Sequence, residues 1–286
     1  MRSLTLTVLL GAIALATAPA AANPSDFPRD MIAHCVGCDL EGVNLSGQDF
    51  HGIQLVGANL SHADLRKANF SGASFVGVNF KDANLDGADL TNAKITGSDL
   101  DGATFSGATL TGVRLVGIRV DQKTFDSLGG VHGAFQSCTG CDLRGLNLRG
   151  RDLSDVHFVG ADLERSDLSH VGFARAHLAG VNLRDAVAAD ADFRSAVLLG
   201  ADFRNADLSG ANLADAVLCS PDIDQRDGVK SYGDTECADL AHANLKNADL
   251  RGVRFCRDDQ RDCRAVTADE LRTLAHADLS AARFTQ

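Results

Sequence analysis

The chain has 286 residues, with 27 Lys and Arg against 38 Asp and Glu, a formal net charge of -11, no Trp and one Tyr. An acidic chain repels the DNA phosphate backbone and anionic membranes, which argues against nucleic-acid binding by charge neutralisation. Of its 14 Phe, 12 fall at core positions of the pattern described below, so the surface lacks the aromatic platforms that stack sugars or bases.

Residues 1–22 read as a signal peptide. Arg2 precedes an uncharged apolar stretch from Leu4 to Ala16, and Ala20-Ala21-Ala22 offers the small-x-small pattern for cleavage before Asn23. Cleavage takes the net charge from -11 to -12, since Arg2 is lost. The apolar run is short for a bilayer span and nothing downstream approaches that length, so no membrane insertion is expected. Eight cysteines suit an oxidising compartment. The expected location is outside the cytoplasm, periplasmic or secreted.

From Leu40 the period is five. Every fifth residue to Leu115 is Leu, Phe or Ile, 16 of 16, and a second run from Leu143 to Leu218 gives 15 of 16, with Ala188 the exception. A third run holds Leu240, Leu245, Leu250 and Phe255, and Leu279 and Phe284 restart it. Two residues before each large residue stands a small one, as at Ala58, Ala63 and Ala68, and the residue between is Asp or Asn in 10 of 16 repeats of each run. A helix would rotate the apolar position by about 140° per repeat, and a flat strand would flip its face at each odd step. A chain that turns one corner per repeat keeps small and large residues inward and the Asp or Asn outward.

The stretch Ala58-Asn59-Leu60-Ser61-His62-Ala63-Asp64-Leu65 resembles the A(D/N)LXX repeat of the pentapeptide-repeat family, and the resemblance covers nearly all of the mature chain. It implies an all-β fold, a right-handed quadrilateral β-helix with four pentapeptides per coil. Sixteen repeats would then make four coils of about 4.8 Å each, a tower roughly 20 Å high.

His34-Cys35-Val36-Gly37-Cys38-Asp39-Leu40 recurs as Ser137-Cys138-Thr139-Gly140-Cys141-Asp142-Leu143, 103 residues on. The predicted organisation is therefore residues 1–22 signal peptide, 23–127 N-terminal cap and first module, 128–218 connector and second module, and 219–286 a stapled C-terminal segment. The phase breaks between Asp126 and Ser137, read as the connector between two tandem towers of undetermined relative orientation. Phe27 to His34 is the expected N-terminal cap, and Thr267-Ala268-Asp269-Glu270 ahead of Leu271 and Leu274 starts a short capping helix. Gln48 and Arg151 occupy inward small positions and are placed near an open end, where a long polar side chain reaches water.

Cys35-x-x-Cys38 and Cys138-x-x-Cys141 read first as small disulfide staples. The alternatives are one four-thiolate zinc site from Cys35, Cys38, Cys138 and Cys141, or redox centres. Cys219 with Cys237, and Cys256 with Cys263, flank excursions from the solenoid and are expected to pair. Asp222, Asp224, Asp227 and Gly228 depart from the EF-hand spacing and read as a solvated acidic loop. Histidines such as His62, His170 and His242 fall at outward corners. No residue earns a catalytic role, and no cofactor is implied.

The expectation is a non-catalytic structural or protein-interaction solenoid outside the cytoplasm, with a protein partner. One alternative is a DNA-mimicking gyrase inhibitor, as some relatives bearing this repeat are; the signal peptide and outward Arg66, Arg144, Arg149, Arg184, Arg194 and Arg204 oppose it. The other is a metal-binding or redox envelope protein using the CxxC pairs.

Overall fold

A computed structural model describes residues 32, 35–128, 137–219, 238–257, 262–265, 267, 269 and 279–284. The signal peptide, the acidic loop with Cys237, and nearly all of both predicted caps lie outside the described residues.

Each pentapeptide turns one corner. Ala58 and Leu60 are buried at 1% and 0% exposure, while Asn59 faces outward and pairs with neighbouring coils. The Ala63 amide donates to the Leu60 carbonyl at 3.1 Å, and His62 between them has φ 59°. A positive φ at the third residue is what a type II turn requires. Gly takes this position freely, and Asn, Asp and His tolerate it better than other residues.

The outward Asp or Asn has a local job. Its Oδ1 accepts from the amide two residues on, as from Ser61 to Asn59 at 3.2 Å and from Arg66 to Asp64 at 3.2 Å. These Asx turns satisfy a corner amide that points away from the ladder. Asn amides also reach the previous coil, from Asn79 to Asn59 at 3.0 Å and from Asn69 to Asp49 at 3.0 Å.

Twenty residues carry the chain once round, so four pentapeptides form each coil: Asn59 pairs in parallel with Asp39 before it and Asn79 after it. Four ladders result. The first face runs through Asp39, Asn59 and Asn79, the second through Asn44 and Asp64, and the third through Asp49 and Asn69. The fourth carries β1 (Gln54–Val56), β2 (Ser74–Val76), β3 (Lys94–Thr96) and β4 (Arg114–Val116), all parallel and in register. Its outward residues are Gln54, Ser74, Lys94 and Arg114. None forms an Asx turn, and the three-residue strands extend through the corner and bond to adjacent coils. The core is one continuous column of Leu, Phe and Ala between the faces.

The two runs join in one stack. Strand β4 pairs with β5 (Cys138–Thr139), and Asp99, Arg119, Asp142 and Asp162 form consecutive rungs, so the first and fourth faces cross the junction unbroken. The second and third faces are interrupted: among the described residues their rungs end at Thr104 and Thr109 and resume at Asn147 and Asp152. Helix α1 (Gln122–Ser127) fills that gap. The five-residue spacing continues through Val120 and Phe125, yet the chain turns helical at Gln122, four residues before the expected connector. Asp121 caps the helix by accepting from the Thr124 amide at 2.8 Å, and Phe125 keeps its core place at 0% exposure.

Side chains of α1 stand in for missing rungs. The Gln122 amide accepts from Asn147 N–H at 2.8 Å and donates to the Asn147 carbonyl at 3.3 Å, imitating a β-bridge. The Thr124 hydroxyl lies 2.7 Å from the Leu100 carbonyl and 3.1 Å from that of Ala103. Arg151 is not at an open end as expected. It sits at this interruption, where its guanidinium lies 5.3 Å over the Phe125 ring and pairs with Asp126. The Arg151 side chain stays 33% exposed there, so the guanidinium keeps contact with water from an inward position.

Beyond Leu218 the coil resumes in register across a longer step, from Asp202 to Asp239. Strand β6 (Val217–Cys219) pairs in parallel with β7 (Arg254–Arg257), which turns back against β8 (Asp262–Ala265), setting Cys256 opposite Cys263. That register suits the expected bridge. A single peptide linking Cys256 to Cys263 is the expected result of non-reducing peptide mapping.

Candidate functional site

The interruption opens a cleft of about 500 Å³ between the last coil of the first run and the first coils of the second. Its wall carries Asp101, Asp121, Asp142 and Glu164 against Arg119, Arg144 and Arg165, with Gln122 at the helix start. Arg119 holds Asp101 at 2.8 Å, Arg144 holds Asp142 at 2.7 Å, and Arg165 reaches Glu164 at 3.0 Å. Burial and the nearby Asp99 push the Asp101 carboxyl above its ordinary value, against the pull of Arg119. The lining contains no Ser, Thr, Cys, Lys or His. Its arginines already have carboxylate partners. This wall can hold a polar group by exchange of ion pairs.

The CxxC cysteines close on themselves. Cys35 bonds Cys38 and Cys138 bonds Cys141, each with a Cα separation of 5.7 Å. Cys35 aligns with Leu55, and Leu55, Phe75, Ile95, Leu115 and Cys138 are successive rungs. Five rungs at about 4.8 Å put the pairs about 24 Å apart. Cys35, Cys38, Cys138 and Cys141 are therefore not gathered into a common zinc site, and no cluster of three His, Cys, Asp or Glu able to hold a metal ion occurs among the described residues. The pairing of Cys219 lies outside the described residues. His62, His170 and His242 occupy positive-φ corners and are exposed.

Several outward arginines on the first three faces are paired locally. Asp64 with Arg66, Asp142 with Arg144, Asp192 with Arg194, Asp202 with Arg204 and Asp249 with Arg251 are all pairs two residues apart across a corner. The guanidinium hydrogen bonds hold the Asp64, Asp142, Asp192 and Asp249 carboxyls below their ordinary value despite partial burial. A carboxyl lowered on folding stabilises the folded state at pH above the unfolded value, near 4, and that stability is lost as pH falls through the lowered value. The melting temperature is thus expected to be flat from pH 8 to about 5 and to fall below about pH 4, as read by circular dichroism. Because the pairs are at the surface, each contributes little and salt will soften the dependence.

The fourth face is different in kind, and the period of five by itself does not isolate it. Its ladder positions are Gln54, Ser74, Lys94, Arg114, Ser137, His157, His177, Val197 and Val217, with no carboxylate among them, and the last two are buried. His157 and His177 stack with centroids 4.5 Å apart, and burial followed by the charge of His157 lowers the His177 pKa. The corner beside this face carries Val36, Val56, Val76, Thr96, Val116, Thr139, Val159, Ala179 and Leu199 in one vertical line, tied by bonds such as Gly57 N–H to the Val76 carbonyl at 2.8 Å. Departures from Asp or Asn recur every 20 residues within each run, which is the signal that marks this face in the sequence.

The profile of pentapeptide repeats matches the chain in 8 copies, over residues 33–72, 53–92, 73–112, 83–120, 137–169, 173–210 and 236–257. Among solved structures, HetL, a pentapeptide repeat protein involved in heterocyst differentiation regulation from the cyanobacterium Nostoc, is 25% identical over 88% of this chain and 89% of its own, with a TM-score of 0.36. A trypsin-treated form of QnrB1, a plasmid-mediated fluoroquinolone resistance protein, is 17% identical over 88% and 91%, with a TM-score of 0.31. A pentapeptide repeat protein from the Arabidopsis thaliana thylakoid lumen is 25% identical over 56% and 75%, with a TM-score of 0.23. No curated protein sequence matches the chain. The matched repeats span well over half of the residues and agree with the twenty-residue coil, and on that ground the chain belongs to the pentapeptide-repeat family.

Proposed function

We propose that this chain is a non-catalytic interaction scaffold that works outside the cytoplasm, a right-handed solenoid of two tandem modules whose regular faces are read by a protein partner. The observation that carries the reading is the uninterrupted ladder on the first and fourth faces, which holds outward side chains at fixed spacing without depending on a ligand. A rigid surface costs little conformational entropy on binding. The two disulfides favour an oxidising compartment.

The test is the intact mass of the protein recovered from its native cells, fractionated into cytoplasm and envelope, before and after reduction and alkylation. A chain beginning at Asn23, found outside the cytoplasm, and lighter than its reduced form by two hydrogens per bridge is the expected result. An uncleaved, fully reduced chain in the cytoplasm would overturn the location and return attention to the cytoplasmic alternative.

That alternative, DNA mimicry toward gyrase, draws on the Asp and Asn columns of the first three faces, which repeat at about 4.8 Å. The Asp–Arg corner pairs work against it, because they neutralise carboxylates that a mimic needs exposed. In a supercoiling assay the mature protein is expected to leave gyrase unaffected.

A further inference from the structure

We infer that the fourth face is the docking surface, and that its partner is a protein presenting an apolar strip flanked by carboxylates. The inference rests on the interaction reading above and specifies which face carries it and what chemistry meets it.

Hydrophobic exposure is concentrated at one edge. Val36 is 76% exposed, Val56 43%, Val76 41% and Val159 41%, and these four lie in the vertical line beside the fourth face. Val187 is the one other exposed large hydrophobic residue among the described residues. At the equivalent corners of the other faces stand Glu41, Arg66, Lys81 and His51. From Val36 to Leu199 the line is about 38 Å long at the ladder spacing. Valine is stiff at χ1, so ordering it against a partner costs little.

Charge selects the partner and its orientation. The face has no carboxylate in a chain whose net charge is -11, and its Lys94 and Arg114 are exposed and without an ion-pair partner among the described residues. On the other three faces the outward columns carry Asp, part of it paired with arginine, so an acidic partner meets carboxylates there that the fourth face lacks. It is accepted on one side of four. An apolar line with a polar, cationic flank is the anatomy of a protein interface. A bilayer surface is a poorer match, since the line carries no Trp, Phe or Tyr to seat at the headgroups.

The glycines sharpen the argument. The corner next to the valine line is Gly in every described coil of both runs: Gly37, Gly57, Gly77, Gly97 and Gly117, then Gly140, Gly160, Gly180 and Gly200. A positive φ does not demand this, because His62, Lys67, Asp82, Arg165 and Asp190 adopt the same φ at the other corners. Built Cβ atoms at Gly37, Gly77, Gly97 and Gly160 would meet nothing within 4 Å, so the chain's own packing does not demand it either. A stripe without side chains lets another backbone approach closely, alongside the valines.

The test places a photoreactive residue, one at a time, at Val56, Val76 and Val159, and at Glu41, Arg66 and Thr111 on the other faces, in the full chain expressed in its native cells. The expected result is an adduct of one mass from the three fourth-face positions, about tenfold stronger than from the others, whose crosslinked partner peptides contain Asp or Glu. Lys94→Glu with Arg114→Glu should weaken that adduct about tenfold, while Lys94→Arg with Arg114→Lys should keep it and both pairs should melt like the parent. Equal or stronger adducts from the other faces would overturn the assignment of the face and leave the interaction reading standing. An adduct of twice the chain's own mass, or one made with lipid, would overturn the partner chemistry. No adduct at any position would remove the interaction reading itself.

Discussion

Phe75→Ala is expected to destabilise the first run by about 3–5 kcal/mol, read by chemical denaturation of the oxidised protein. Phe75 is fully buried, and its ring meets Phe70 edge-on at 5.4 Å and Phe80 edge-on at 5.1 Å, while Phe70 stacks on Phe50 at 5.5 Å. These four rings form one packed column, so truncating a central ring leaves a cavity that the ladder cannot close. The coils are locked at the backbone spacing of about 4.8 Å and cannot move together to fill it. Phe75→Leu should recover most of the loss, because Leu is the commonest residue at this position of the repeat. A loss below about 1 kcal/mol for Phe75→Ala would contradict this packing.

The second large effect belongs to the junction. Thr124→Val keeps shape and removes the hydroxyl that faces the Leu100 and Ala103 carbonyls, and Thr124 itself is 0% exposed. Without that hydroxyl the Ala103 carbonyl keeps the Ser127 hydroxyl at 3.4 Å and the Leu100 carbonyl keeps the Ala103 amide at 3.0 Å, so each loses one of two donors. Losing a hydroxyl shared by two buried carbonyls that each keep another donor costs about 1 kcal/mol. Thr124→Ser should be close to neutral. Hydrogen exchange should localise the change, with faster exchange of the amides around α1 in Thr124→Val and unchanged protection in the strands of the fourth face. Uniform loss of protection along the whole chain would mean that α1 is not a separable insert.

The junction shows why part of the fold could not be read in advance. Val120 and Phe125 continue the five-residue spacing, and by local pattern they belong to another turn of the solenoid. Whether that coil forms depends on whether backbone partners exist above and below it, which is a non-local matter. Here Asp121 offers a helix cap, and Gln122 and Thr124 offer side-chain substitutes for the lost rungs. The same limit applies to Arg151. Its inward position was legible, and its place beside Phe125 and Asp126 was not, because the residues that receive it come from a helix about 25 positions earlier in the chain.

The staples follow a different logic. The cysteines of each CxxC stand three positions apart, so local chain reach alone allows the pairing, and the structure forms both bonds. The four-thiolate alternative required two distant segments to meet, and only the number of coils between them decides that.

What the sequence determined by itself was the content of one coil. A small residue, an Asp or Asn, a large apolar residue and a corner are local requirements, each met within five residues by burial, an Asx turn and a positive φ. What only the tertiary structure decided was how coils register on one another. The step of 20 residues gathers scattered exceptions to the repeat into a single carboxylate-free face, and the bridges from Arg119 to Asp142 carry two faces across the junction while α1 replaces the others. Register is set by hydrogen bonds between residues a full turn apart, so a repeat unit read by itself does not say which units it will stack on, and the mark of the fourth face emerges only at the 20-residue step.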